Sequence, residues 1–170
     1  MRQWIPTERS ASGRLVLRAL EAFAAEDFEH VNVVDLCAAA GVTTGTLYHH
    51  FGNKLGLYDV VRSEVEHRLL DRLEGAMAAL PASGGEAAHA ALLVGFDYLV
   101  GAGHARLLAI DHPGTSVDPI EKWLSDVLDT GAVPLAPLLL SAWRRGLRAV
   151  ADGVAPAAAR QAFGRLAVRR

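Results

Sequence analysis

Between Val42 and Lys54 the chain reads VTTGTLYHHFGNK. Thr43, Thr44 and Thr46 carry hydroxyls there, Tyr48 a phenol, His49 and His50 imidazoles and Lys54 an ammonium. Such groups suit recognition of nucleic acid. Threonine hydroxyls reach phosphates or base edges, and threonine methyls meet thymine methyls. Gly45 lets its backbone approach a surface closely. A helix starting at the threonines would turn unpaired N–H groups and partial positive charge toward a phosphate. Tyr48, His49 and His50 then donate to the phosphate backbone, and Lys54 adds a point charge beside them.

A second constellation lies further on. Asp97, His104 and Asp111 repeat every seven residues, so an unbroken helix would line them along one face. With Phe96, Tyr98 and Trp123 as walls they form a candidate pocket for a small molecule. A structural histidine–carboxylate hydrogen bond is the plainer reading of the same residues. Gly101 and Gly103 stand where that helix would break. His104, Asp111 and His112 match no metal-ligand spacing. The chain has no H-E-x-x-H, no glycine-rich phosphate loop and no G-x-S-x-G. Neither a metal, nor a cofactor, nor catalysis is expected.

These residues need a scaffold, and the composition indicates its kind. The 170 residues are 51% hydrophobic and 21% charged, enough for a buried core and inconsistent with global disorder. Aromatics make up 6%, while alanine and leucine are abundant, which favours helices packed on helices. Cys37 is the single cysteine, so no internal disulfide forms. The N-terminal stretch has no apolar export signal and the apolar runs are short of a membrane span, so a cytoplasmic protein is expected. Net charge is −2, and residues 1–60 hold five basic against seven acidic residues. Any affinity for DNA must therefore come from local geometry rather than bulk charge.

Residues 1–11, with Pro6, read as an extended arm. Ser12 is placed to cap a first helix, with Leu15, Ala19, Ala22 and Phe23 at helical spacing. Phe28 and Val31 plug the core from the connection. Asn32 caps a second helix, with Asp35 at its third position and Leu36 and Ala40 facing inward. Gly41 ends it as a left-handed residue. Thr43 or Thr44 caps a third, two-turn helix ending near Phe51. Asn53 caps a long fourth helix running through Leu57, Val61, Val65, Leu69 and Leu73 towards Leu80. Arg62, Glu64, Glu66, Arg68, Asp71 and Arg72 are expected on its solvated face. PASGGE, from Pro81 to Glu86, marks a tight connection. Further helices are expected over 86–101, 104–111, 119–129 and 135–150. The segments DHPGTSVDP and TGAVPLAP form turns, and Pro156 opens a last helix. The fold class is all-α with about nine helices.

A helix, a glycine break and a short second helix make the helix-turn-helix outline. Cys37 supplies a thin residue at the crossing, Leu36, Val42 and Leu47 lock the pair, and Thr43, Thr44, Thr46 and His49 are left facing out. Such corners also occur in all-α proteins that bind no DNA, with Tyr48, Phe51 and Leu55 as plain core. That reading makes the chain a helical protein-interaction module.

The run VVDLCAAAGVTTGTLYHHFGNKLGLYDVV resembles the N-terminal domain of TetR-family transcriptional regulators. The preceding LRALEAFAAEDFEHVNV resembles that family's first helix and its connection. The likeness covers residues 12–61. It departs at Asp27, where the family usually has glycine, at Asn32 in place of a threonine cap, and at Cys37 in place of alanine. The resemblance implies a helix-turn-helix domain over 1–56 and a helical ligand-binding and dimerisation domain over 57–170. Thr43, Thr44, Gly45 and Thr46 would face bases and nearby phosphates, with Tyr48, His49, His50 and Lys54 on the backbone and Leu47 and Phe51 packing the helices. The expected partners are a palindromic double-stranded DNA operator, an unknown small-molecule effector and a second copy of the chain, with no membrane. The expected function is that of a repressor released from DNA by its ligand. The apolar segments LAPLLLSAWRRGLRAV and PAAARQAFGRLAVRR are the candidate dimer surface.

Overall fold

The computed structural model describes residues 9–80, 84–114, 117–128 and 134–166. Among these the secondary structure is helical throughout: α1 (Ala11–Ala25), α2 (Val33–Ala39), α3 (Thr44–Phe51), α4 (Lys54–Ala79), α5 (Gly84–Gly101), α6 (Ala105–Leu108), α7 (Pro119–Leu128), α8 (Leu135–Ala151) and α9 (Pro156–Gly164). The fold class is all-α, as the composition implied. The N-terminal arm up to residue 8, the start of PASGGE at 81–83, and parts of the two later turns, at 115–116 and 130–133, lie outside the described residues. Two compact units make up the chain, Met1–Glu64 and Val65–Arg170, and α4 begins in the first and ends in the second.

In the first unit, α1 packs on α2 and α3, and α2 on α3. Its core is Leu15, Val16, Ala19, Phe23, Val31, Leu36, Ala40, Leu47, Leu57 and Tyr58. The cap of α1 is Ser10 rather than Ser12. Ser10 is the residue in extended conformation, and its hydroxyl accepts the Gly13 amide at 2.9 Å. Ser12 already lies inside the first turn, where its hydroxyl sits 3.4 Å from that of Ser10. At its other end α1 stops at Glu26, whose backbone is extended.

Phe23, Phe28 and Tyr58 form an aromatic cluster with centroids 4.9 to 5.9 Å apart. This cluster overturns one expectation. Arg62 and Glu66 are buried, at 0% and 7% exposure, not solvated. Arg62 follows Tyr58 by one helical turn and donates to its phenol oxygen at 3.1 Å, so the guanidinium is drawn in along the apolar face. Arg68, Asp71 and Arg72 are exposed, as expected.

The second unit centres on Trp143 of α8, which is fully buried and donates its indole N–H to the Leu92 carbonyl at 2.8 Å. Gly95 of α5 lies against Leu69 and Leu73 of α4; a Cβ there would stand 2.8 Å from each. α9 closes on α5 through Phe163, whose ring lies tilted against that of His89 with centroids 4.8 Å apart, and through Arg160, whose Nε donates to both carboxylate oxygens of Asp97 at 2.7 and 2.9 Å. No helix among the described residues is long and apolar enough to cross a membrane.

Candidate nucleic-acid interface

The corner between α2 and α3 is fixed by backbone chemistry that the sequence spells out. Asn32 accepts the amides of Val34 and Asp35 at 2.7 and 3.4 Å, and Asp35 stands at the third helical position. At the other end Gly41 takes φ +63°, a conformation that costs glycine least. Gly41 N donates to the Ala38 carbonyl at 3.1 Å and Val42 N to the Cys37 carbonyl at 3.0 Å. That paired closure satisfies carbonyls which a helix end otherwise leaves open. Arg14 of α1 adds a bond from Nε to the Ala40 carbonyl at 3.0 Å, tying the turn to the first helix. Cys37 is buried where the helices cross, and burial pushes its thiol pKa up, so it packs as an unreactive small residue.

Thr43 caps α3: its hydroxyl accepts the Thr46 amide at 3.3 Å and lies 3.1 Å from the Thr46 hydroxyl. The outward side of α3 then carries exposed Thr43, Gly45, Tyr48, His49 and His50, with Thr44 and Thr46 half-buried. A Cβ on Gly45 would meet only the Thr43 hydroxyl, at an ordinary 3.6 Å, so the surface over this residue is open. Tyr48 is 55% exposed, which removes it from the core; Leu47 alone in α3 is buried, with Phe51 half-buried behind it. The His49 and His50 rings stand 5.0 Å apart in a T-shaped pair in the last turn. Imidazole N–H groups there also suit the negative end of the helix dipole.

Past Gly52, at φ +75°, Asn53 accepts the Gly56 amide at 2.8 Å and starts α4. Gly56 is sterically required. A Cβ there would lie 2.1 Å from the Phe51 carbonyl oxygen, so the first turn of α4 rests directly on the end of α3.

Lys54 does different work from that expected of it. Its ammonium donates to the carbonyls of Phe28, Val31 and Glu29 at 2.8, 3.1 and 3.4 Å and sits 4.4 Å from the Phe28 ring centre. An ammonium has three N–H donors, and here each has a carbonyl. Lys54 holds the α1–α2 connection. The roles of Arg14 and Lys54 had no local signal in the sequence, because their partners lie 23 to 26 residues away.

The candidate pocket residues do not come together. α5 ends at Gly101, Gly103 takes φ +75°, and α6 starts anew, so the seven-residue repeat is not on one helix. Asp97 pairs with Arg160, and Asp111 with Arg144 Nη1 at 2.5 Å. Phe96 is buried in the bundle and Trp123 half-buried on α7. His104 is half-buried with its Nδ1 lacking a hydrogen-bond partner, and burial, then the nearby charge of Arg68, lowers its pKa. No cluster of three or more metal-ligating residues occurs among the described residues.

Residues 15–61 match the family model described as bacterial regulatory proteins, tetR family. This N-terminal domain is thus similar to the DNA-binding domain of the tetR family. The match runs from Leu15 on α1 to Val61 on α4 and so takes in the whole α2–α3 corner. A crystal structure of the TetR family repressor AlkX from Dietzia sp. strain DQ12-45-1b, implicated in biodegradation of n-alkanes, is similar at 18% identity with a TM-score of 0.48, covering 92% of this chain and 93% of that one. A tetR-family helix-turn-helix accounts for the outward polar face of α3, and the chain is a DNA-binding transcriptional regulator.

Proposed function

We propose that the protein is a homodimeric repressor that reads a palindromic operator and leaves it when a small molecule binds. Residues 1–56 serve as the DNA-binding domain and residues 57–170 as the effector and dimerisation domain. Thr43, Thr44, Gly45 and Thr46 face bases and adjoining phosphates, and Tyr48, His49 and His50 hold the phosphate backbone. Lys54 acts one step removed, by keeping the α1–α2 connection in place. The observation that carries this reading is the exposed, hydroxyl-rich side of α3, set out from the fold by the closed Gly41 turn.

A helix of eight residues reads too few bases for a unique site, so two copies on half-sites about 34 Å apart, or a multiple of that, supply the rest. Leu138 on α8 and Leu166 just beyond α9 are 61% and 45% exposed and belong to the proposed dimer surface. Release follows as a population shift, with ligand favouring a dimer whose recognition helices are mis-spaced.

The test is fluorescence anisotropy on the DNA flanking the protein's own gene, at two salt concentrations. Specific binding that weakens steeply with salt is expected, because bound phosphates release counterions. Tyr48→Phe is expected to weaken binding by a similar factor on all sequences, about five-fold for one lost hydrogen bond. Thr46→Ala is expected to relax preference at one or two base pairs. Binding that ignores salt and both substitutions would instead make the corner a packing device in an interaction module.

A further inference from the structure

We infer that the C-terminal unit binds an organic carboxylate in the cleft where Asp111 meets Arg144. The inference gives the effector of the proposed repressor a chemical class and a place. It rests on that reading for its regulatory meaning, though not for binding itself.

The cleft has a volume of about 440 Å³ and is lined by Ala109, Ile110, Asp111, Ser141, Arg144, Arg145 and Arg148. That size falls within the range of small-molecule sites. Its wall holds the guanidiniums of Arg144, Arg145 and Arg148 and the carboxylate of Asp111, with Asp118 on Arg144 and Asp152 on Arg148 as further counter-charges.

Arg144 is 6% exposed and holds two carboxylates of unequal standing. Asp118 is the permanent one. Its side chain is 14% exposed, it pairs with Arg144 Nη2, and its other oxygen accepts the amides of Ile120 and Glu121 at 2.9 and 3.1 Å, capping α7. Burial pushes this carboxyl up, but the Arg144 charge and hydrogen bond, with the two amides, outweigh it and hold it below the ordinary carboxylate value. Asp111 is the exchangeable one: its side chain is 92% exposed and reaches Arg144 Nη1 from the solvent side. The third site of the guanidinium, Nε, is buried and has no hydrogen-bond partner. A buried arginine with an unused donor and a displaceable carboxylate is built to accept a carboxylate from outside. Arg145 and Ser141 are exposed on the next stretch of α8 and offer further donors. Ala109 and Ile110 give an apolar wall for the ligand's carbon frame.

Titration calorimetry of the full chain with hexanoate, benzoate and inorganic phosphate tests this without DNA present. The carboxylates are expected to bind at the cleft. Arg145→Ala is expected to weaken them about ten-fold, the usual scale of a lost charge-assisted hydrogen bond. Asp111→Asn is expected to tighten them about two- to five-fold by removing an exposed competitor. Both positions are on the surface, so the variants keep the fold; thermal melting of each verifies this. No binding by either carboxylate overturns the inference. So does binding indifferent to both substitutions, or phosphate binding as tightly as the carboxylates. Failure of the repressor reading shows separately, as absent operator binding in the anisotropy experiment.

Discussion

The two units of the chain start their helices differently. In the first, Ser10, Asn32, Thr43 and Asn53 each cap a helix with a side-chain oxygen. In the second, α6, α8 and α9 begin with no side-chain cap, while α7 rests on Asp118. The small unit is specified by short-range polar signals. The larger one is specified by what its helices bury against each other. A unit that must present a short helix to a groove needs its helix ends fixed to a fraction of an ångström; a bundle held by a core does not.

The sharpest way to break this contrast is to attack each unit through its own principle. Trp143→Ala removes the largest fully buried side chain of the second unit and leaves the Leu92 carbonyl without its indole partner. A loss of about 3–5 kcal/mol is expected in urea unfolding. A loss below about 1 kcal/mol would mean that the core does not hold the bundle.

Lys54→Met strips three carbonyls of one shared donor in the first unit, and a loss of about 1.5–3 kcal/mol is expected. The same variant decides between two roles for Lys54. A lysine that holds the connection leaves the slope of DNA affinity against salt unchanged when replaced, whereas a phosphate contact lowers that slope by about one. Thr43→Ala, which removes the cap of α3, is expected to cost about 1 kcal/mol. The same loss should appear in melting with and without DNA if the cap acts only on the fold.

The contrast also explains what the sequence disclosed. Caps and the Gly41 turn are local: Asn32, Thr43 and Asn53 stand within three residues of the amides they bind. The α2–α3 corner was therefore legible, as were the nine helices among the described residues to within a few residues at their ends. Ser12 displaced Ser10 in the reading because both hydroxyls precede the same apolar stripe, and spacing alone does not choose between them. Long-range bonds left no such trace. Arg144 meets Asp111 across 33 residues and Asp118 across 26, and neither pairing has a periodicity to betray it. The seven-residue spacing of Asp97, His104 and Asp111 was a true pattern on a helix that Gly101 and Gly103 do not allow to continue. Arg62 and Glu66 looked solvated because charge is the usual mark of a surface, while Tyr58 one turn earlier drew Arg62 inside.

The smallest effect expected belongs to His104, a half-buried polar group of the second unit that no cap or ion pair explains. Its folded-state pKa lies below the ordinary 6.5, through burial first and the charge of Arg68 second. The unfolded chain therefore takes up the proton at higher pH than the folded one. Stability gains nothing from this residue above about pH 7 and falls as pH drops through 6.5 toward the lower folded value. His104→Gln is expected to flatten that fall below about pH 7 in urea midpoints, with wild type and variant running parallel above it. Salt separates the two causes. At about 1 M the screening length shrinks to about 3 Å, which removes most of what Arg68 contributes and leaves the cost of burial. A difference between the two proteins that survives in high salt marks desolvation as the larger cause. One that vanishes there would make His104 a surface-like group governed by its charged neighbour, and would move it from the core side of the comparison to the polar side.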